Sequence, residues 1–165
     1  MRNERLGAAG VAVVMALALA GSAAADTRDV FTFADPFSGG GDCDGFQLYY
    51  EGHDHGTVTN FLNGQGVPYR QIGHIHSIET DTNLATGKSV VIRTNITVRG
   101  ELSPDGELTS HSIMGEFNIG NLPGQGIVIH DSGLAVIDEN GLVEVLHGVH
   151  DTFVEDGDAF CEAVS

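Results

Sequence analysis

The chain has no tryptophan, four prolines, two cysteines and only 7 Lys+Arg in 165 residues. Against 23 Asp+Glu this gives a formal net charge of −16, which repels phosphate backbones and anionic lipid surfaces. Nucleic acid is therefore not an expected partner, and neither is a membrane once the leader described below is removed. No stretch of useful length carries a 3.6-residue apolar period, which argues against a coiled coil, and a single globular domain suits this composition better than several. The chain also lacks a Gly-x-Ser-x-Gly elbow, so nucleophilic catalysis by serine has no local support. Gly64-Gln65-Gly66 and Gly124-Gln125-Gly126 are not followed by helices and read as turn or bulge glycines rather than phosphate cradles. Asp42-Cys43-Asp44-Gly45 and Glu155-Asp156-Gly157-Asp158 lack the length and order of a calcium loop and read as solvated acidic turns.

What is present begins with a leader. Arg2 and Arg5 precede an apolar run over 6–20, and Gly21-Ser22-Ala23-Ala24-Ala25 supplies small residues at −3 and −1 of a cleavage site. Residues 1–25 are read as a cleaved secretory signal, with 26–165 as one secreted domain beginning at Asp26. The run is short and weakly hydrophobic, with no positive cluster after it, which disfavours an anchor. No cysteine lies near the cleavage site to take a lipid. Cleavage removes two of the 7 basic and one of the 23 acidic residues, moving the formal charge from −16 to −17. Cys43 and Cys161 both lie in the mature part, and export favours their pairing as a disulfide.

The mature chain holds short alternations of apolar and polar residues punctuated by Gly, Asn and Asp, the pattern of an antiparallel all-β domain. Val90, Ile92, Ile96 and Val98 fall on one face of a strand, with Arg93, Asn95, Thr97 and Arg99 on the other. Turn signals occur at 83–87, 103–106, 131–133 and 138–141. The strands expected are 46–51, 57–62, 69–80, 89–101, 107–119, 127–130, 134–138 and 142–147, eight in all. The segment 30–42 reads as a leading arm or loop, and 151–165 as a tail tied back through Cys161. Hairpin-length connections favour an up-and-down meander, which commonly closes into a barrel to remove its edges. Eight strands would leave room for side chains or one small ligand inside.

The order Asp35-Pro36-Phe37, Cys43-Asp44-Gly45-Phe46, Thr82-Asn83-Leu84-Ala85-Thr86-Gly87-Lys88, Gly126-Ile127-Val128-Ile129-His130-Asp131-Ser132-Gly133, Gly148-Val149-His150 and Cys161 resembles small secreted actinobacterial proteins of unassigned function. The resemblance implies a barrel similar to those of the allene oxide cyclase and dirigent group. Its motifs are turns and a disulfide frame, and it carries no catalytic residues over to this chain.

Chemistry, if present, falls to the eight histidines. His74 and His76 share a strand face with Ile72 and Ile78, and His111 shares one with Ile113, Phe117 and Ile119, so three imidazoles are expected to point inward. Such an HxH pair with a third histidine could hold zinc or copper and leave a position open. The alternative is hydrogen-bonded lumen or rim histidines, or outward-facing ones if the register slips by one. The expectation adopted is no metal and no cofactor. His53 and His55 read as an exposed hairpin tip, and His147 and His150 as rim residues, with a general acid or base oriented by Asp151 as the alternative. The ligand-lumen candidates are Ile72, His74, His76, Ile92, His111, Ile113 and Phe117. Three functions follow from this reading: a barrel holding a small, mostly apolar ligand; a cyclase or isomerase acting on a small lipophilic substrate; or a structural or interaction protein.

Overall fold

Seven segments whose side chains alternate between two environments form one antiparallel sheet in the computed structural model, which describes residues 27–152 and 159–165. The strands are β1 (Thr27–Cys43), β2 (Phe46–Leu62), β3 (Pro68–Asn83), β4 (Ser89–Leu102), β5 (Leu108–Leu122), β6 (Gly126–Ile137) and β7 (Val143–His150), followed by a short helix α1 (Ala159–Val164). Each strand pairs with the next in chain order, and β1 and β7 remain edges. The expected leader over 1–25 and the acidic stretch 155–158 lie outside the described residues. Among the described residues no helix is long and apolar enough to cross a membrane.

Side chains at the loop entrances set the hairpin registers. Asn63 Oδ1 accepts the Gln65 and Val67 N–H groups at 2.9 and 3.0 Å, and Asn83 Oδ1 accepts those of Ala85 and Thr86 at 2.8 and 3.2 Å. Ser103 Oγ accepts Glu107 N–H at 3.0 Å, and Asp138 Oδ1 accepts Asn140 and Leu142 N–H at 2.9 and 2.7 Å. These bonds hold the Asp138 carboxyl below its ordinary range, Leu142 contributing most. A side-chain acceptor two to four residues before a backbone donor is what makes Asn, Asp and Ser turn formers.

Two expected strands are one. The segments 46–51 and 57–62 join into β2, and His53 and His55 lie mid-strand rather than at a hairpin tip. Gly52 and Gly56, read as turn residues, sit opposite Phe37 and Phe33 of β1, whose rings occupy the space a Cβ at either glycine would need. Aromatic cover of this kind lets glycine persist within a strand. The same pairing makes the expected arm over 30–42 part of β1, where Phe31, Phe33 and Phe37 take alternate positions. Pro36 is tolerated because β1 is an edge strand and needs no donor on its free side. The segments 127–130 and 134–138 likewise merge into β6, so 131–133 is no turn. Gly133 lies opposite Gly148 of β7, both at positive φ, and a Cβ on either would strike backbone of the other strand.

The core sits at one end of one face. Leu48, Val90, Ile92, Leu122 and Ile129 pack with Cys43, and α1 lays Cys161, Ala163 and Val164 over them. The Cys43–Cys161 disulfide ties α1 there, with Cα atoms 5.6 Å apart. Asn83 Nδ2 donates to the Val164 carbonyl at 3.1 Å, and Lys88 Nζ to that of Ser165 at 2.8 Å. A six-residue helix is too short to hold itself in water, so these tertiary ties account for it.

Candidate functional site

The face carrying α1, termed inner, is traced by the pairing ladders. Phe33, Gly56, Ile75, Ile96, Gly115 and Gly133 form one row across the sheet, and Phe31, Val58, Gly73, Val98, Ile113 and Ala135 form the next. Beyond the helix this face keeps an apolar floor, with Val58 and Ile75 buried and Phe31, Phe33, Ile96, Val98 and Ile113 half-buried. Polar groups lie beside it: Gln71 Nε2 donates to Asn60 Oδ1 at 2.9 Å, and His111 pairs with Gly100 one row further out.

The ligand-lumen candidates divide between the faces. Ile92 lies in the core, Phe117 is buried, and Ile113 and His111 are half-buried on the same inner face. Arg93 and Arg99 are exposed on the outer one. Ile72, His74 and His76 fall on the outer face with Ile78, which is 53% exposed. The parity expected for β3 is therefore reversed: Ile75 pairs with Ile96, and this brings Gly73, Ser77, Glu79 and Asp81 inward. His74 and His76 thus cannot meet His111, and the convergence of three imidazoles does not occur. Ile119 also leaves the face of Ile113, because a bulge at Phe117 and Asn118 shifts the β4–β5 register and sets Ile119 opposite Arg93.

Burial pushes the His111 imidazole below its ordinary pKa. A depressed histidine pKa means that the unfolded chain binds the proton better. Stability is therefore full above the unfolded value near 6.5 and falls as the pH drops from there through the folded value. Replacing His111 with Asn is expected to flatten the acid-side decline of stability, which urea unfolding of both proteins between pH 7.5 and 5 measures. Equal slopes for the two would rule out His111 as a contributor.

A polar knot at the exit of β7 was not anticipated. Asp131, fully buried, accepts Asn118 Nδ2 at 3.1 Å and Thr152 N–H at 3.0 Å, and also the Thr152 hydroxyl. His150 Nε2 lies 3.0 Å from the His147 carbonyl, and its ring stacks on Phe117 with centroids 5.6 Å apart. Asp151 accepts the His130 backbone N–H at 2.8 Å. These contacts tie β5, β6 and β7 to the residues that follow β7. The Asp-Ser-Gly sequence that suggested a turn was the only local signal for Asp131.

The outer face of β2 and β3 carries the remaining histidines. His55 pairs with His76 across the strands, the rings stacked at 5.2 Å, while His74 pairs with Thr57 and His53 with Ile78. His74 Nδ1 lies 3.0 Å from Thr97 Oγ1, and His53 Nδ1 lies 3.1 Å from the Asp54 carbonyl. Compared with known proteins, the chain matches no family model, no curated protein and no solved structure.

Proposed function

We propose that the protein is a secreted binding module that holds a small, mostly apolar molecule on its inner face, at the end of the sheet that α1 leaves uncovered. The observation that supports this reading is the apolar floor of Phe31, Phe33, Ile96, Val98 and Ile113, half-buried side chains that are not part of the cluster packed under α1. Apolar surface of this kind gains from removal from water, at about 25 cal/mol per Å² covered. The barrel expected from the strand pattern, similar to those of the allene oxide cyclase and dirigent group, would enclose the same face. Gln71, Asn60 and His111 border the floor and would orient a polar end of the ligand. The acidic charge of the chain favours a neutral or cationic molecule over an anion.

Titration with the neutral probe N-phenyl-1-naphthylamine is expected to give a saturable rise in fluorescence at one probe per chain. Ile96→Asp should weaken binding at least tenfold. Phe33→Ala, on the edge strand, should weaken it several-fold and keeps the test valid if the first variant unfolds. A probe that fails to saturate, or binds both folded variants as well as the parent, would overturn the reading.

A further inference from the structure

The geometry points to a three-histidine site for a divalent transition-metal ion on the outer face, formed by His55 of β2 with His74 and His76 of β3. The two HxH segments lie on neighbouring strands and overlap by one directly opposed pair, His55 and His76. Opposed β carbons lie about 4.5–5.5 Å apart, and the i, i+2 positions of His74 and His76 are separated by about 6.5 Å. An HxH pair on one strand with a third imidazole opposite supplies three neutral nitrogens on one side of the sheet and leaves a coordination position for water.

Three further observations bear on this site. The rings are exposed, and the depression they line is bordered by the small side chains of Thr32, Ala34 and Thr57, which leave space above the histidines. The His74 ring is held through Nδ1 by Thr97, leaving Nε2 for an ion. Fixing a ligand ring through its other nitrogen is the usual support for a metal-bound histidine. His53, beside His55, has Nδ1 directed at a carbonyl, which can only accept. It lies on the side of His55 away from His74, four strand positions or about 13 Å along the sheet from it, and is therefore not a ligand of the same ion. With the rings as they stand, no three ligating side chains among the described residues meet at one point. Binding therefore proceeds by side-chain rotation on a fixed strand backbone.

Imidazole donors select copper, nickel and zinc over calcium and magnesium, with copper(II) bound most tightly. Equilibrium dialysis of the untagged protein against CuCl2 and ZnCl2 is expected to retain one ion per chain. His55→Gln and His76→Gln should each lower the affinity at least tenfold, and His147→Gln, at an exposed position on β7, should leave it unchanged. Copper-loaded protein should show nitrogen couplings from the imidazoles in its electron paramagnetic resonance spectrum, and these should be lost in the His55→Gln, His74→Gln, His76→Gln triple variant. The three substitutions lie on an exposed face, and an unaltered unfolding midpoint verifies the fold; if the triple variant unfolds, the single variants carry the test. Retention of no ion, or equal retention by a folded His55→Gln, His76→Gln or triple variant, would overturn the assignment. Binding of the apolar probe to the inner face is independent of either outcome.

Discussion

Reduction of the Cys43–Cys161 bond is expected to lower the unfolding free energy by about 5 kcal/mol, the entropy of closing a loop of this length in the unfolded chain. The cysteines are 118 positions apart, so the bond joins the first hairpin to α1 and restricts almost the whole described sheet. Its contribution has a second part. Cys161 sits in a helix that is otherwise attached through the side chains of Asn83 and Lys88 and through its buried Ala163 and Val164. Without the bond, local detachment of α1 would expose Val90, Ile92 and Ile129 before the sheet itself unfolds. Urea unfolding with and without reductant measures the total, and hydrogen exchange on β4 and β6 separates local from global opening. The room-temperature β-sheet circular dichroism should survive reduction. A loss of stability under 1 kcal/mol would show that the reduced chain remains as restricted as the oxidised one.

Ile129→Ala is expected to cost about 2–5 kcal/mol, the range for removing a buried aliphatic side chain and leaving part of its cavity. Ile129 is fully buried and lies directly opposite Gly120 of β5, over which its side chain is folded. A Cβ added at Gly120 would stand 2.9 Å from Ile129 Cβ and 3.1 Å from both Cγ1 and Cδ1. Gly120→Ala alone should therefore overpack the core at a cost of about 1–3 kcal/mol. Combined with Ile129→Ala, the contacts with Cγ1 and Cδ1 disappear while the 2.9 Å contact with Cβ remains, so the overpacking is relieved in part. The double variant should be more stable than the sum of the two losses predicts, a coupling of about 0.5–3 kcal/mol. Strict additivity in denaturant unfolding would show that the two positions do not share one packing site.

How far the sequence could be read depended on whether one strand held enough information to place itself. β4 did: Val90, Ile92, Ile96 and Val98 occupy one face and Arg93 and Arg99 the other, and the observed burial follows that division. The loops beginning at Asn83, Ser103 and Asp138 could be read for the same reason, since the acceptor and the donors it satisfies lie within a few residues. The disulfide followed from there being only two cysteines. β3 resisted because isoleucine stands on both faces, Ile75 inside and Ile72 and Ile78 outside, so its parity is decided by β4 and not by its own pattern. Glycine misled in β1 and β2, where residues normally associated with turns are covered by rings from the neighbouring strand. The histidine patch was hidden by both errors together. One pair reads as a hairpin tip and the other as interior, and only the β2–β3 register places them side by side.

The long separation of the two cysteines also has a consequence in time. At synthesis rates of about 5–20 residues per second, roughly 6–24 s pass between the appearance of Cys43 and that of its partner. Every strand in the meander pairs with the one made just before it, so β1 through β7 can assemble in order of synthesis while Cys43 is still a thiol. The bond is then a latch closed on a finished sheet, and the nascent chain carries a single unpaired cysteine in its first hairpin through the whole of that interval.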